Sequence, residues 1–282
     1  TRRTRGGGRW SQYRSHLARW TRQHGGSDCW FSVMLDLYGY PRDLPVSGAG
    51  LRGVELARAI EARIGEDIGD RRLIPYVQCH EFEALLFTDL TVLAPLVGER
   101  DLPGLDALRV ATANLAPEEI DDHPETAPSK RLKAAIRDYD KVTHGPLAAS
   151  TLGLVRIRRR CPHFDGWLRA LERLPLEPAR VEIDQRFGAD TPEAAMGQTA
   201  LESIHADVLG IDEPWVVPTV VSDAAHRLVF GWSCGERSLT VSTDAAALIA
   251  TAVWADGRSE GALENGRFGP WWRWLRGGAE VP

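Results

Sequence analysis

Apolar side chains recur at helical spacing in Trp10, Tyr13, Leu17 and Trp20, so residues 10–23 read as an amphipathic helix with arginines on its wet side. Gly25-Gly26-Ser27 breaks it, and Cys29–Leu35 follows as a nearly continuous apolar run, the pattern of a strand buried on both faces. Glu55–Arg63 returns to helical periodicity. Leu73–Gln78 then predicts a second buried strand, with a helix starting over Glu81–Phe87. Residues 97–122 are acidic and punctuated by Gly and Pro, which predicts helix and loop facing solvent. Thr126 or Ser129 is placed to cap a helix running to Asp138, and Tyr139–Pro146 reads as a polar turn. Pro162 opens a further helix whose buried stripe is Phe164, Trp167, Leu168, Leu171 and Leu174.

Composition changes after Pro175-Leu176-Glu177-Pro178, the clearest linker in the chain. Thr191-Pro192-Glu193 is a helix start and Gly210 a stop. Trp215–Val221, Arg227–Trp232, Ser238–Ser242 and Ala247–Trp254 read as short strands of an antiparallel sheet. Trp271, Trp272 and Trp274 are expected to pack on that sheet, with a protein interface as the alternative.

A chain of 282 residues, 43% hydrophobic and 26% charged, has enough apolar material for one large domain or two ordinary ones. No apolar run approaches the roughly 20 residues that span a bilayer, and no signal peptide is visible, so membrane partners are not expected. Cys29, Cys79, Cys161 and Cys234 show no paired spacing, which fits a reducing, cytoplasmic setting. A start at Thr1 rather than Met reads as a fragment or a processed product. The net charge of −5 hides an asymmetry: residues 1–24 hold seven arginines and no acid, which leaves −12 for the remainder. From residue 180 onward there are 8 arginines, no lysine and 15 acids, so any phosphate contact belongs to the other end. Arg2, Arg3, Arg5, Arg9 and Arg14 are the candidate nucleic-acid arm; the competing reading is a solvated helix face whose aromatics join the core.

Candidate chemistry gathers where apolar runs carry charge. His80, Glu81 and Glu83 interrupt such a run at the carboxyl end of the second strand, the usual place for ligands in an open α/β sheet. On a regular helix Glu81 and Glu83 point about 200° apart, so both reach one site only if Glu81 lies at or before the helix mouth. Ala84 stands where a zincin motif needs a second histidine, and a lone His80 is commonly a hydrogen-bonded core residue. Asp36 ends the first strand just before a Gly/Pro turn, as a metal ligand or a turn cap. Lys130 and Arg131 fall in the first turn of their helix, where the dipole disfavours cations but anions bind, so Lys130 is a candidate phosphate contact. The Tyr139–Pro146 turn either is structural or brings Asp140 and Lys141 to the same pocket. Cys79, His80, Cys161 and His163 do not match a finger spacing, and zinc is not expected.

The segments Tyr76–Phe87, Pro124–Arg131, Tyr139-Asp140-Lys141 and Cys161–Asp165, together with Met34–Gly39, resemble the bacterial domain of unknown function 4276 family over residues 9–174. Members resemble Toprim-type proteins and are often encoded beside a recombination- or OLD-like ATPase. The resemblance implies an α/β fold: a Toprim-like core with a mainly parallel sheet over residues 1–176, plus a small C-terminal α+β module with antiparallel strands over 180–282. It implies Mg²⁺ held by Asp36, Glu81 and Glu83, with Glu81, Lys130 and Lys141 in catalytic roles and Lys130 and Arg131 among the nucleic-acid contacts. The implied activity is that of a Mg²⁺-dependent nuclease working with a partner ATPase on DNA, in anti-phage defence. The family opens with a strand and a Glu-Gly segment that this chain is read as starting after. A catalytically degenerate binding subunit is therefore the alternative.

Overall fold

The computed structural model describes residues 8–25, 29–46, 50–120, 126–210, 215–243, 247–263, 267–278 and 282. It is a mixed α/β protein that divides into two compact units, Thr1–Leu171 and Glu172–Pro282. The division falls inside the last turn of one helix rather than at the proline-rich stretch. Pro175–Pro178 is not an extended linker: Leu174–Leu176 forms a 3-10 turn leading straight into a helix, and Leu176 is buried in the second unit's core.

The first unit opens with α1 (Trp10–Gln23), β1 (Phe31–Asp36), α2 (Gly53–Ile68) and β2 (Leu73–Gln78). β1 and β2 pair in parallel, with Phe31 opposite Leu73 and Asp36 opposite Gln78. The expectation of a mainly parallel sheet thus holds only as a two-stranded ribbon among the described residues. Nor is β1 buried on both faces. Its side chains alternate between half-buried and exposed except at Leu35, and Met34 is 48% exposed, because the described residues pair it with β2 alone.

Helices make up the rest of this unit: α3 (Leu102–Thr112), α4 (Pro128–Ala135), α5 (His144–Leu152), α6 (Leu154–Arg160) and α7 (Pro162–Arg173). Two cores fill it. One packs Trp10, Leu17, Ile60, Ile64 and Val77 between α1, α2 and the sheet. The other packs Tyr76, Leu86, Leu93, Leu132, Ile136 and Phe164 under the helices. The α-helix expected over Glu81–Phe87 is instead a run of 3-10 turns, Phe82–Thr88. Glu83 through Phe87 are all buried, so no wet face is available to give the segment an amphipathic α-helical stripe. The acidic stretch 97–122 is also less solvated than its composition suggests: Glu118 and Ile120 are each 3% exposed.

The second unit begins with α8 (Glu177–Phe187) and α9 (Pro192–Gly210), the latter capped by Thr191, whose hydroxyl accepts the Ala194 N–H at 3.2 Å. An antiparallel meander follows: β3 (Thr219–Ser222), β4 (Leu228–Cys234), β5 (Arg237–Thr243), β6 (Leu248–Trp254) and β7 (Gly257–Ala262). α10 (Gly269–Leu275) lays Trp271, Trp272 and Trp274 into the core beside Phe230, Trp232 and Leu239. Among the described residues, no helix is long and apolar enough to cross a membrane.

Candidate functional site

Because β1 and β2 are parallel, both deliver their carboxyl ends to one edge of the ribbon, where side chains of the following loops gather. Asp36 is the last residue of β1. Two residues beyond β2, His80 turns the backbone through the left-handed region at φ 62°. Its ring is buried, and Nε2 donates to the Glu118 carbonyl oxygen over 3.1 Å. That reversal leaves Glu81 extended, at φ −156° and ψ 171°, ahead of the 3-10 turns. The condition for two glutamates to share one site is therefore met.

They share a cation. Lys141 Nζ lies 2.6 Å from Glu81 Oε2 and 3.2 Å from Glu83 Oε1. The other Glu81 oxygen, Oε1, accepts the backbone N–H of Ser129 at 2.7 Å. This N–H belongs to the first turn of α4, which neither Thr126 nor Ser129 caps; Glu81 supplies the anion from a distant part of the chain. Asp140 braces Lys141 from behind. Its carboxylate accepts the Val142 and Thr143 N–H groups at 3.3 and 3.1 Å and the Thr143 hydroxyl at 2.6 Å.

The same contacts set the charges. Burial pushes the Glu81 carboxyl up, but hydrogen bonds from Lys141 and Ser129 outweigh it and hold the group below its usual range. Glu83 moves the other way, raised by burial and then by the charge of Glu81, with Lys141 opposing. Asp36 reaches the surface, yet partial burial of its carboxyl followed by the Glu81 charge still raises its pKa. Burial lowers Lys141, and its hydrogen bond to Glu81 and the charges of both glutamates more than reverse this. Tyr139 is buried nearby, its hydroxyl pushed up by burial and by Glu83 and Glu81, and without a hydrogen-bond partner among the described residues. One carboxylate is thus fixed as an anion beside a fixed ammonium, and two carboxyls are biased towards the protonated form. Carboxyls driven apart in this way can divide acid and base roles.

Oxygen donors of this kind suit Mg²⁺, which asks for near-octahedral coordination at about 2.0–2.1 Å. The arrangement does not. An ammonium group stands between Glu81 and Glu83, and among the described residues no three His, Cys, Asp or Glu side chains are placed to hold a metal ion. As arranged, these residues do not fit a divalent cation.

The other expected residues are more scattered. Lys130 is exposed beside Ser129 and makes no ion pair among the described residues, while Arg131 Nε donates to the Thr126 carbonyl at 2.7 Å. Arg9 is exposed at the start of α1. Arg14 is not an uncompensated arginine, since its Nε lies 3.0 Å from Asp67 Oδ2, the oxygen that also accepts the Trp10 indole N–H at 2.6 Å. Arg2, Arg3 and Arg5 lie outside the described residues, as do Pro124 and Glu125. Cys161 Sγ approaches Thr88 Oγ1 at 3.8 Å, and His163 turns to Glu61.

Glu61 and Glu118 went unnoticed in the sequence. Glu118 is buried and accepts the His163 and Phe164 N–H groups at 3.0 and 2.9 Å, capping α7 as Glu81 caps α4. Pro162 at the start of α7 signalled a helix end needing acceptors, but nothing local named an accepting carboxylate 45 residues upstream.

Comparison with curated proteins returns no match, and neither does comparison with solved structures. Residues 1–172, the stretch that supplies every residue of this cluster, match the family model described as "Domain of unknown function (DUF4276)", and the chain belongs to that family.

Proposed function

We propose that the first unit is a nucleic-acid-acting subunit on a Toprim-like scaffold, catalytically degenerate, that contributes binding to a complex with a partner ATPase. The scaffold, the ATPase and a role in phage defence come from the family resemblance. The observation that carries the degenerate reading is Lys141, whose ammonium already neutralises Glu81 and Glu83 where a cation would be needed. Exposed Lys130 and Arg9 supply positive charge for a phosphate backbone. The deciding experiment has two arms on the intact protein. The logarithm of the DNA affinity should fall linearly with log salt, and Lys130→Ala should weaken binding. Titration with Mg²⁺ or Mn²⁺ should give no heat of tight binding. Tight binding of either ion that depends on Asp36 would overturn the reading.

A second reading keeps the nuclease, with Mg²⁺ assigned to Asp36, Glu81 and Glu83. What favours it is the convergence of Asp36 and Glu81 at the carboxyl ends of adjacent parallel strands. It requires Lys141 to leave the glutamates. Divalent-dependent nicking of DNA, abolished in Asp36→Ala and in Glu81→Ala, would establish it.

A further inference from the structure

A second chemistry-bearing cluster lies in the same unit, away from the carboxylate–lysine site. Between α2, β2 and α7 is a cleft of about 270 Å³, lined by Arg58, Glu61, Tyr76, His163 and Trp167 among others. Its aromatic wall is a stacked pair of rings. Tyr76 and Trp167 stack with centroids 4.7 Å apart at 16°, and both rings have spent their polar atoms elsewhere. The Tyr76 hydroxyl donates to Gln78 Oε1 at 2.8 Å, and the Trp167 indole N–H donates to Ser32 Oγ at 3.1 Å. Trp167 remains half-buried, leaving ring surface to the cleft.

The polar wall is held by hydrogen bonds. Glu61 Oε1 accepts the Val77 N–H at 2.7 Å and lies 3.0 Å from His163 Nε2, which is also 3.2 Å from the Val77 carbonyl. Both neighbours of that nitrogen are acceptors, so Nε2 carries the proton. Glu61 Oε2 has no partner among the described residues, and it is an acceptor only. Arg58, three residues earlier on the same face of α2, is exposed and makes no ion pair among the described residues. The cleft therefore offers a flat apolar surface, one carboxylate oxygen and one guanidinium. Its volume lies just below the range of ligand pockets, which run from roughly 300 Å³ upward, and this limits the occupant to a single nucleotide.

We propose that this cleft takes one unpaired nucleotide whose base carries an exocyclic amino group (adenine, cytosine or guanine, as against uracil or thymine). The base stacks on Trp167, its amino group donates to Glu61, and its phosphate meets Arg58. The inference rests on the nucleic-acid reading above and adds to it the means of holding a base, since stacking on aromatic rings is how unpaired strands are gripped. β2 would connect the two sites, with Tyr76 at the cleft and Glu81 just past the strand's exit.

The test is calorimetric titration of the intact protein with AMP, CMP, UMP and adenosine. AMP and CMP should bind about tenfold or more tightly than UMP, because a lost base-edge contact costs on that order. Arg58→Ala, at an exposed position, should weaken AMP but leave adenosine unchanged. Trp167→Ala should weaken AMP and adenosine alike, with Trp167→Phe restoring most of the affinity. Circular dichroism checks that both Trp167 variants stay folded. Equal affinity for all four compounds, or AMP binding indifferent to Arg58→Ala and Trp167→Phe/Ala, would overturn the inference. If salt-dependent DNA binding survives while AMP does not bind, only the cleft proposal falls. If AMP binds as described and DNA does not, the broader reading falls and the nucleotide cleft stands.

Discussion

Lys141 decides the electrostatics of the candidate site, and its removal gives a pH-dependent signature. Glu81 titrates below the usual 4.5, so in the folded protein it contributes stability that is present above that value and lost as pH falls through its lowered pKa. Glu83 and Asp36 titrate above their usual 4.5 and 3.8, so ionising them costs stability as pH rises through those values towards their raised ones. Lys141 holds the first effect up and the second down. Lys141→Met should therefore destabilise the protein at pH 7, by about 1–2 kcal/mol once the exposure of the lysine end is allowed for. The loss should shrink as the pH is lowered to about 3, because the raised carboxyls of Glu83 and Asp36 protonate on the way and Glu81 begins to follow. Urea denaturation at both pH values measures it, and an equal loss at both would show that Lys141 acts by packing. His163 gives a second signature. Burial lowers its pKa, but the Glu61 hydrogen bond and the charges of Glu61 and Glu118 raise it above the usual 6.5 on balance. Its contribution is fully present below 6.5 and fades as pH rises through the raised value, so the stability gap between wild type and His163→Gln should narrow from pH 5.5 to pH 9.

Elements are tied together here by acids that cap helices from afar, Glu81 on α4 and Glu118 on α7. This is where the sequence was least legible. Helical periodicity located α1 and α7, and Asp36, Glu81, Glu83 and Lys141 stood out because charge interrupts apolar runs or breaks a turn. Their convergence depended on the left-handed turn at His80, which no period reveals, since histidine is only one of several residues that adopt it. The anion at the α4 N-terminus was foreseen as a phosphate subsite, yet Glu81 is the anion that arrives. How closely α4 is held can be tested at its other end. A Cβ on Gly104 of α3 would run into the backbone carbonyl of Ala135, at the end of α4, which has no rotamer by which to yield. Gly104→Ala should cost about 1–3 kcal/mol by overpacking, well beyond the small gain in helix propensity. An unchanged denaturation midpoint would mean that α3 and α4 can slide apart freely.

At the scale of the whole chain, the cores are not shared between units, two lying in the first and one in the second, and the second unit's is held by aromatic rings. Trp272 is fully buried, stacked on Trp215 at 5.9 Å and edge-on to Trp232 at 5.8 Å. Strands β4, β5 and β6 announced themselves by alternation. β7 did not, because Gly257–Ala262 alternates half-buried with exposed positions using only Gly, Arg, Ser, Glu and Ala. α8 hid behind two prolines that sit at a turn and at a helix start, where proline is tolerated. The tryptophans packing on the sheet followed from their grouping alone. Two units with separate interiors predict two separable unfolding events. Trp272→Ala should remove about 3–5 kcal/mol from the second unit and split the calorimetric trace, lowering one transition while the other stays in place. Trp272→Phe should cost much less. The Trp272 indole N–H is buried with no hydrogen-bond partner among the described residues, so exchanging it for a hydrocarbon ring relieves an unmet donor and offsets part of the lost volume. A single transition that shifts as one in both variants would show that the two units unfold together.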